Sequence, residues 1–230
     1  MTPQNTCQAY LEAILKADKA LCHNIISDVV DKGVPVIDIY QKVLFPVMVQ
    51  IGELWKLNKI NVAQEHLATS ITQNIIASFY PTFLGVIKER EEDKGNVLVA
   101  CPGNEMHELG ARMLSDVWEL EGWNVTYLGS NIPAQFIAET LARGKFHVLG
   151  LSCSLSFNVK FVKETIEKVK SVQEFNGPVI CGGRIFNVDP ALMEYVAADY
   201  YGKDFYEAID ILHGIRNQKE EQKKEEQKNE

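Results

Sequence analysis

Apolar positions along the chain follow two different grammars. From about Asn5 to Glu92 they recur at helical spacing only, through Tyr10, Leu11, Ile14 and Leu15, then through Leu21, Ile25, Ile26, Val29 and Val30. Gly33 and Pro35 punctuate the end of that run and the start of the next helix, which the pattern carries from Pro35 to about Leu57. A further long helix is predicted from about Val62 to Glu91, with Pro81 as a point of bending. Four such helices on short turns read as a small bundle.

The grammar changes at Lys94-Gly95. Asn96 to Cys101 is a short β-branched apolar run, followed by helical spacing from Glu108 to Glu121. The alternation continues with a strand at Asn124 to Leu128, a helix at Ala134 to Ala142, a strand at His147 to Ser152 and a helix at Val159 to Glu174. A strand at Pro178 to Cys181, a short helix, a weak strand near Tyr200 and a last helix from Asp204 to Arg216 complete the series. Strands alternating with helices predict an α/β unit with a parallel sheet covered on both faces. The expected organisation is a helical bundle cap over 1–93, a Rossmann-like, flavodoxin-like unit over 94–216, and a charged tail over 217–230. That tail has no apolar residue and reads as solvated and disordered.

Composition narrows the function. Hydrophobic residues at 46% and charged residues at 23% describe an ordinary globular chain, and no apolar run is long enough to span a bilayer. The net charge of -8, without a basic stripe, argues against direct DNA binding. The N-terminus lacks a signal peptide pattern, and the five scattered cysteines suit reduced thiols, so a cytoplasmic protein is expected.

Ligands of such sheets sit at the carboxyl ends of the strands. There the sequence places Glu105-Met106-His107-Glu108-Leu109-Gly110, then Leu128-Gly129-Ser130-Asn131, then Ser152, Ser154 and Ser156, then Gly182-Gly183. An imidazole with an acid on its other nitrogen is a good metal ligand. One histidine is too few for zinc, which needs at least three protein ligands. It makes more sense for a metal that brings its own equatorial ring.

Glu105-x-His107-x-x-Gly110, Ser152 and Gly182-Gly183 in order resemble the signature of cobalamin-binding domains, over about residues 96 to 216. That family includes the corrinoid module of methionine synthase and corrinoid carrier proteins. The resemblance implies cobalamin as cofactor, with its tail base displaced from cobalt by His107. It further implies that Glu105 hydrogen-bonds His107, and that Gly110, Ser152, Ser156, Gly182 and Gly183 line the tail channel. Glu105 stands where the pattern mostly has aspartate, and Ser154 where it has leucine.

The helical half adds Trp55 at the end of one helix and Glu65-His66 in the first turns of the next. An indole beside a carboxylate and an imidazole suits an adenosyl group. This arrangement resembles the cap bundle of the adenosylcobalamin-dependent photoreceptors, the CarH family. By that resemblance Trp55 caps the upper face, and Val62, Glu65 and His66 contact the adenosyl group. The implied function is a light sensor rather than an enzyme, whose output passes to a protein partner or to self-assembly as a homo-oligomer. The DNA-binding domain usual in that family is not recognised in this sequence. Lys56 also stands where the family often has a histidine that ligates cobalt after illumination. The rival is a corrinoid methyl carrier of a methyltransferase system. A detached cobalamin subunit of a mutase is a third reading, which leaves the bundle unexplained.

Overall fold

The computed structural model describes residues 3–89 and 94–229. The chain divides into two compact units, Met1–Gly85 and Val86–Glu230.

The first unit is helical. Helices α1 (Pro3–Leu15) and α2 (Lys19–Asp31) are followed by a short α3 (Val36–Ile39), which runs through a π turn at Tyr40–Leu44 into α4 (Phe45–Lys56). Helix α5 begins at Val62 and continues to Glu89. The single helix expected from Pro35 to Leu57 is therefore one continuous rod with a local widening, a device that re-aims the residues beyond it. Asp18 starts α2 by accepting a hydrogen bond from the Leu21 N–H at 2.9 Å. Buried Tyr10, Ile14, Ile26, Tyr40, Leu44, Val47, Ile51, Ile76 and Phe83 form the core. Tyr10 also ties α1 to α5, since its hydroxyl lies 3.0 Å from that of buried Thr72.

The second unit alternates strands and helices. Strands β1 (Asn96–Ala100), β2 (Asn124–Tyr127), β3 (Val148–Ser152), β4 (Val179–Gly182) and β5 (Tyr200–Gly202) form one sheet in the order β2-β1-β3-β4-β5, and every pairing is parallel. The crossovers are α6 (Leu109–Leu120), α7 (Ala134–Arg143), α8 (Val159–Val169) and the short α9 (Arg184–Val188) and α10 (Leu192–Val196).

Period-two alternation sorts the strand side chains to two faces. Leu98, Ala100, Leu149, Leu151 and Cys181 pack with Ile137, Leu141, Val162 and Ile166 of α7 and α8. Val97, Val99, Val148 and Ile180 pack on the other side with Trp118 of α6 and Leu212 and Ile215 of the last helix. Both faces are covered, which is why β1 and β3 read as continuous apolar runs. Gly150 lets Trp118 lie against the sheet, where a Cβ would come within 2.9 Å of the indole.

The last helix, α11, spans Phe205–Asn229. The polar stretch expected to be a disordered tail thus continues as helix. Glu, Lys and Gln are good helix formers, and pairs four residues apart, such as Arg216 Nε to Glu220 Oε1 at 2.7 Å, support it.

Candidate functional site

In this strand order the topology reverses between β1 and β3, because their crossovers leave to opposite sides. The loops that follow β1 and β3 therefore face one crevice at the carboxyl edge, where such sheets bind ligands. Glu105 and His107 sit in the first loop, and Ser154 to Asn158 in the second.

One carboxylate joins the two loops. Glu105 has no exposed surface. Its Oε1 accepts from the backbone N–H of His107 at 2.8 Å and from His107 Nδ1 at 2.7 Å. Its Oε2 accepts from the N–H groups of Ser154 and Leu155, at 2.8 and 3.3 Å, and from Asn158 Nδ2 at 3.1 Å. Burial alone would raise the carboxyl pKa. The hydrogen bonds from His107, Ser154 and Asn158 outweigh it and hold the group down at about 2. An ionised carboxylate only accepts, so Nδ1 of His107 is the donor, and in the neutral imidazole the lone pair lies on Nε2. The His107 side chain is 53% exposed, in contrast to the buried carboxylate that holds it. A buried acid fixing the tautomer of an exposed imidazole is the arrangement that suits metal ligation.

The β2–α7 loop is pinned against the same edge. Asn131 N–H donates to the Glu105 carbonyl at 2.9 Å, and Gly103 N–H to the Ile132 carbonyl at 3.0 Å. Gly183 has φ +105°, and a Cβ there would lie 2.2 Å from the Cys153 carbonyl oxygen, so only glycine fits where the β4 end meets the β3 loop. Gly182 is its neighbour at the strand end, while the space beside Gly110 is open. Ser152 closes β3 and is buried; Ser154 and Ser156 follow it. Ser154 contributes its backbone N–H to Glu105, a role the serine pattern did not reveal. Asn158 was not singled out at all; a lone Asn at a helix start carries no signal in sequence.

The nearby thiols offer no competing ligand. Burial pushes Cys101 and Cys181 up, and Cys153 up to about 12, so all three stay protonated at neutral pH, whereas metals take the thiolate. Among the described residues no group of three or more His, Cys, Asp and Glu side chains is placed to hold a metal.

In the helical unit, the turn between α4 and α5 is fixed at both ends. Lys59 N–H bonds the Leu54 carbonyl at 2.9 Å and Asn58 N–H that of Trp55 at 2.9 Å, with Asn58 at φ +54°. This is a Schellman C-cap with Asn in the left-handed position. Asn61 and Gln64 form a reciprocal capping box, each side-chain oxygen accepting the other's N–H at 2.9 Å. Trp55 thus lies in the last turn of α4, and Val62, Glu65 and His66 in the first turns of α5. Trp55 is 45% and Val62 49% exposed, a costly position for large apolar side chains. Glu65 Oε2 lies 2.5 Å from His66 Nδ1, and Glu65 Oε1 accepts from the Thr69 hydroxyl at 3.1 Å. Lys56 pairs with Glu53 at 3.4 Å.

Comparison with known proteins agrees with this anatomy. Residues 95–210 match the family model described as B12 binding domain, and residues 6–79 match a second model of the same description. The chain is 26% identical over 200 residues to the HTH-type transcriptional repressor CarH of Myxococcus xanthus, a match covering 84% of this chain and 64% of the relative. It thus spans less than two thirds of that relative's length. A corrinoid protein of Desulfitobacterium hafniense is 21% identical, with 89% of this chain and 94% of the relative covered. The Methanosarcina barkeri monomethylamine corrinoid protein shares the fold at TM-score 0.77 and 19% identity, over 90% of this chain and 97% of that one.

Proposed function

Because the chain belongs to the B12-binding domain family, we propose that it is a light sensor that uses adenosylcobalamin as its chromophore. Cobalamin binding itself is shown by the family match. The residues at the sheet edge fit that cofactor. Glu105 holds the His107 Nδ1, which presents Nε2 as the nitrogen for cobalt in this reading. The exposed Met106 and Phe157, on the two facing loops, offer apolar surface to a flat macrocycle. Gly110, Ser152, Ser154, Ser156, Gly182 and Gly183 line the tail channel in this reading.

The single observation that carries the sensor reading is the α4–α5 corner, with an exposed indole in the last turn of one helix and a carboxylate–imidazole pair in the first turns of the next. Trp55 and Val62 contribute apolar surface to an adenosyl group, and Glu65 and His66 bond its ribose or adenine. The cofactor, when bound, supplies a photolabile cobalt–carbon bond. The protein's part is to bind, orient and read out the change by rearranging an interface with a protein partner or a second copy. Absorption spectra of reconstituted protein in the dark and after illumination test this. Light-dependent loss of the adenosylcobalamin spectrum, with a change in oligomeric state or partner binding, is expected. An illuminated protein with unaltered assembly and partner binding overturns the sensor reading.

A second reading is a corrinoid methyl carrier. It is favoured by the corrinoid protein of Desulfitobacterium hafniense, which this chain matches along nearly the whole of both lengths. Such a carrier needs its upper face open to partner enzymes, so it has no use for an adenosyl pocket. Preference for methylcobalamin over adenosylcobalamin decides for it.

A further inference from the structure

A threonine or serine hydroxyl inside a helix has a usual partner, the backbone carbonyl one turn back. Thr140 donates in this way to Phe136 and Thr165 to Phe161, each at 2.7 Å, and Ser115 to Ala111 at 2.8 Å. Thr69 departs from this habit. Its hydroxyl donates to the side chain one turn back, Glu65 Oε1, at 3.1 Å. The other oxygen, Oε2, faces His66 Nδ1 at 2.5 Å. The Asn61–Gln64 capping box fixes the backbone turn that carries Glu65 into α5. The carboxylate is thus held on both oxygens, yet the Glu65 side chain keeps 22% of its surface exposed.

Each carboxylate oxygen has two acceptor sites. Thr69 takes one on Oε1 and His66 one on Oε2, which leaves an acceptor site on each oxygen among the described residues. Two acceptors side by side in a fixed plane match two hydroxyls on neighbouring carbons, the vicinal diol of a ribose. We propose that Thr69 is a positioning residue that sets the Glu65 carboxylate to accept both hydroxyls of a ribose, and so makes the α4–α5 corner selective for that diol. The inference rests on the adenosyl reading of the corner and adds the residue that gives the carboxylate its angle. A carboxylate without this anchor must lose side-chain freedom when the sugar binds, whereas an anchored one has lost it already.

The full chain is titrated in the dark with three cofactor forms. These are adenosylcobalamin, 2′-deoxyadenosylcobalamin, which lacks one hydroxyl of the upper ribose, and methylcobalamin, whose upper ligand has no sugar. The preference among them is read, so a general loss of packing cancels. Wild type should prefer the adenosyl over the 2′-deoxyadenosyl form by about tenfold or more, the scale for a hydrogen bond to a charged acceptor. Thr69→Val keeps the side-chain shape and removes the hydroxyl, and should cut that preference by about threefold or more. Thr69→Ser restores the hydroxyl and should recover most of it. Where valine is not tolerated, Thr69→Ala should give the same loss. A Thr69→Val or Thr69→Ala protein with the wild-type preference overturns the proposal, and so does a Thr69→Ser protein that behaves like the valine variant. Failure of the adenosyl reading looks different and overturns both: wild type would then bind adenosylcobalamin and methylcobalamin alike, before any change at Thr69.

Discussion

Replacing Glu105 by glutamine tests the centre of the site with a change of one atom. The carboxylate accepts from His107 N–H and Nδ1 on one oxygen, and from Ser154 N–H, Leu155 N–H and Asn158 Nδ2 on the other. A glutamine has one oxygen, so its NH2 group must confront one of these sets. Its best orientation gives the oxygen to the β3 loop and the NH2 to His107. The imidazole then answers by moving its proton from Nδ1 to Nε2, which removes the lone pair a metal needs, while the His107 backbone N–H still faces a donor. In the unligated protein the expected loss is on the order of 3 kcal/mol, the range for breaking a buried, hydrogen-bonded charge. Linkage gives the same scale. A carboxyl held at about 2 in the fold against its ordinary value of 4.5 contributes ~3 kcal/mol. The folded value is the lower one, so this stability is fully present above pH ~4.5 and is lost as pH falls towards 2. Urea unfolding of wild type and Glu105→Gln at pH 7 and pH 3 should therefore show a gap that narrows with acid. Cobalamin affinity should fall by about 10- to 100-fold. A gap below ~1 kcal/mol, or one unchanged between the two pH values, would refute the argument.

Other outcomes follow from the same anatomy. His107→Ala should abolish the imidazole-ligated cobalt spectrum while leaving the apo fold intact, since the side chain is half-exposed; circular dichroism and absorption read the two separately. Trp55→Ala should weaken adenosylcobalamin by more than methylcobalamin, by about tenfold for a lost apolar contact of 1–2 kcal/mol, and equal losses in titrations of both forms would favour the methyl carrier. Gly183→Ala should destabilise the α/β unit by about 3 kcal/mol or more, because its Cβ would meet the Cys153 carbonyl at 2.2 Å, and thermal unfolding checks this.

Much of this was legible in the sequence because the signals are local. The change from helical spacing to β-branched runs at Lys94-Gly95 separated the bundle from the sheet, and the strand ends named Glu105, His107 and Gly183. Strand order was not legible in the same way. Order depends on which edges pair, and β5, three residues long, barely signals in sequence. The serine pattern directed attention to hydroxyls, yet Ser154 binds Glu105 through its backbone N–H, which any residue type could supply. Asn158 escaped because its meaning lies in a contact with a residue 53 positions away. In the stretch beyond Asn217 the absence of apolar residues speaks of solvation, not of backbone conformation.

Donors to the Glu105 carboxylate come from residues 107 to 158, in the loops that follow β1 and β3. These strands are also neighbours in the sheet, in the order β2-β1-β3, so no later segment must intrude between them. The contacts that fix the imidazole therefore involve no residue of β4, β5 or α11. A ligand that binds the folded unit stabilises it as a whole, so cofactor held at the β1 and β3 loops also favours the later strands.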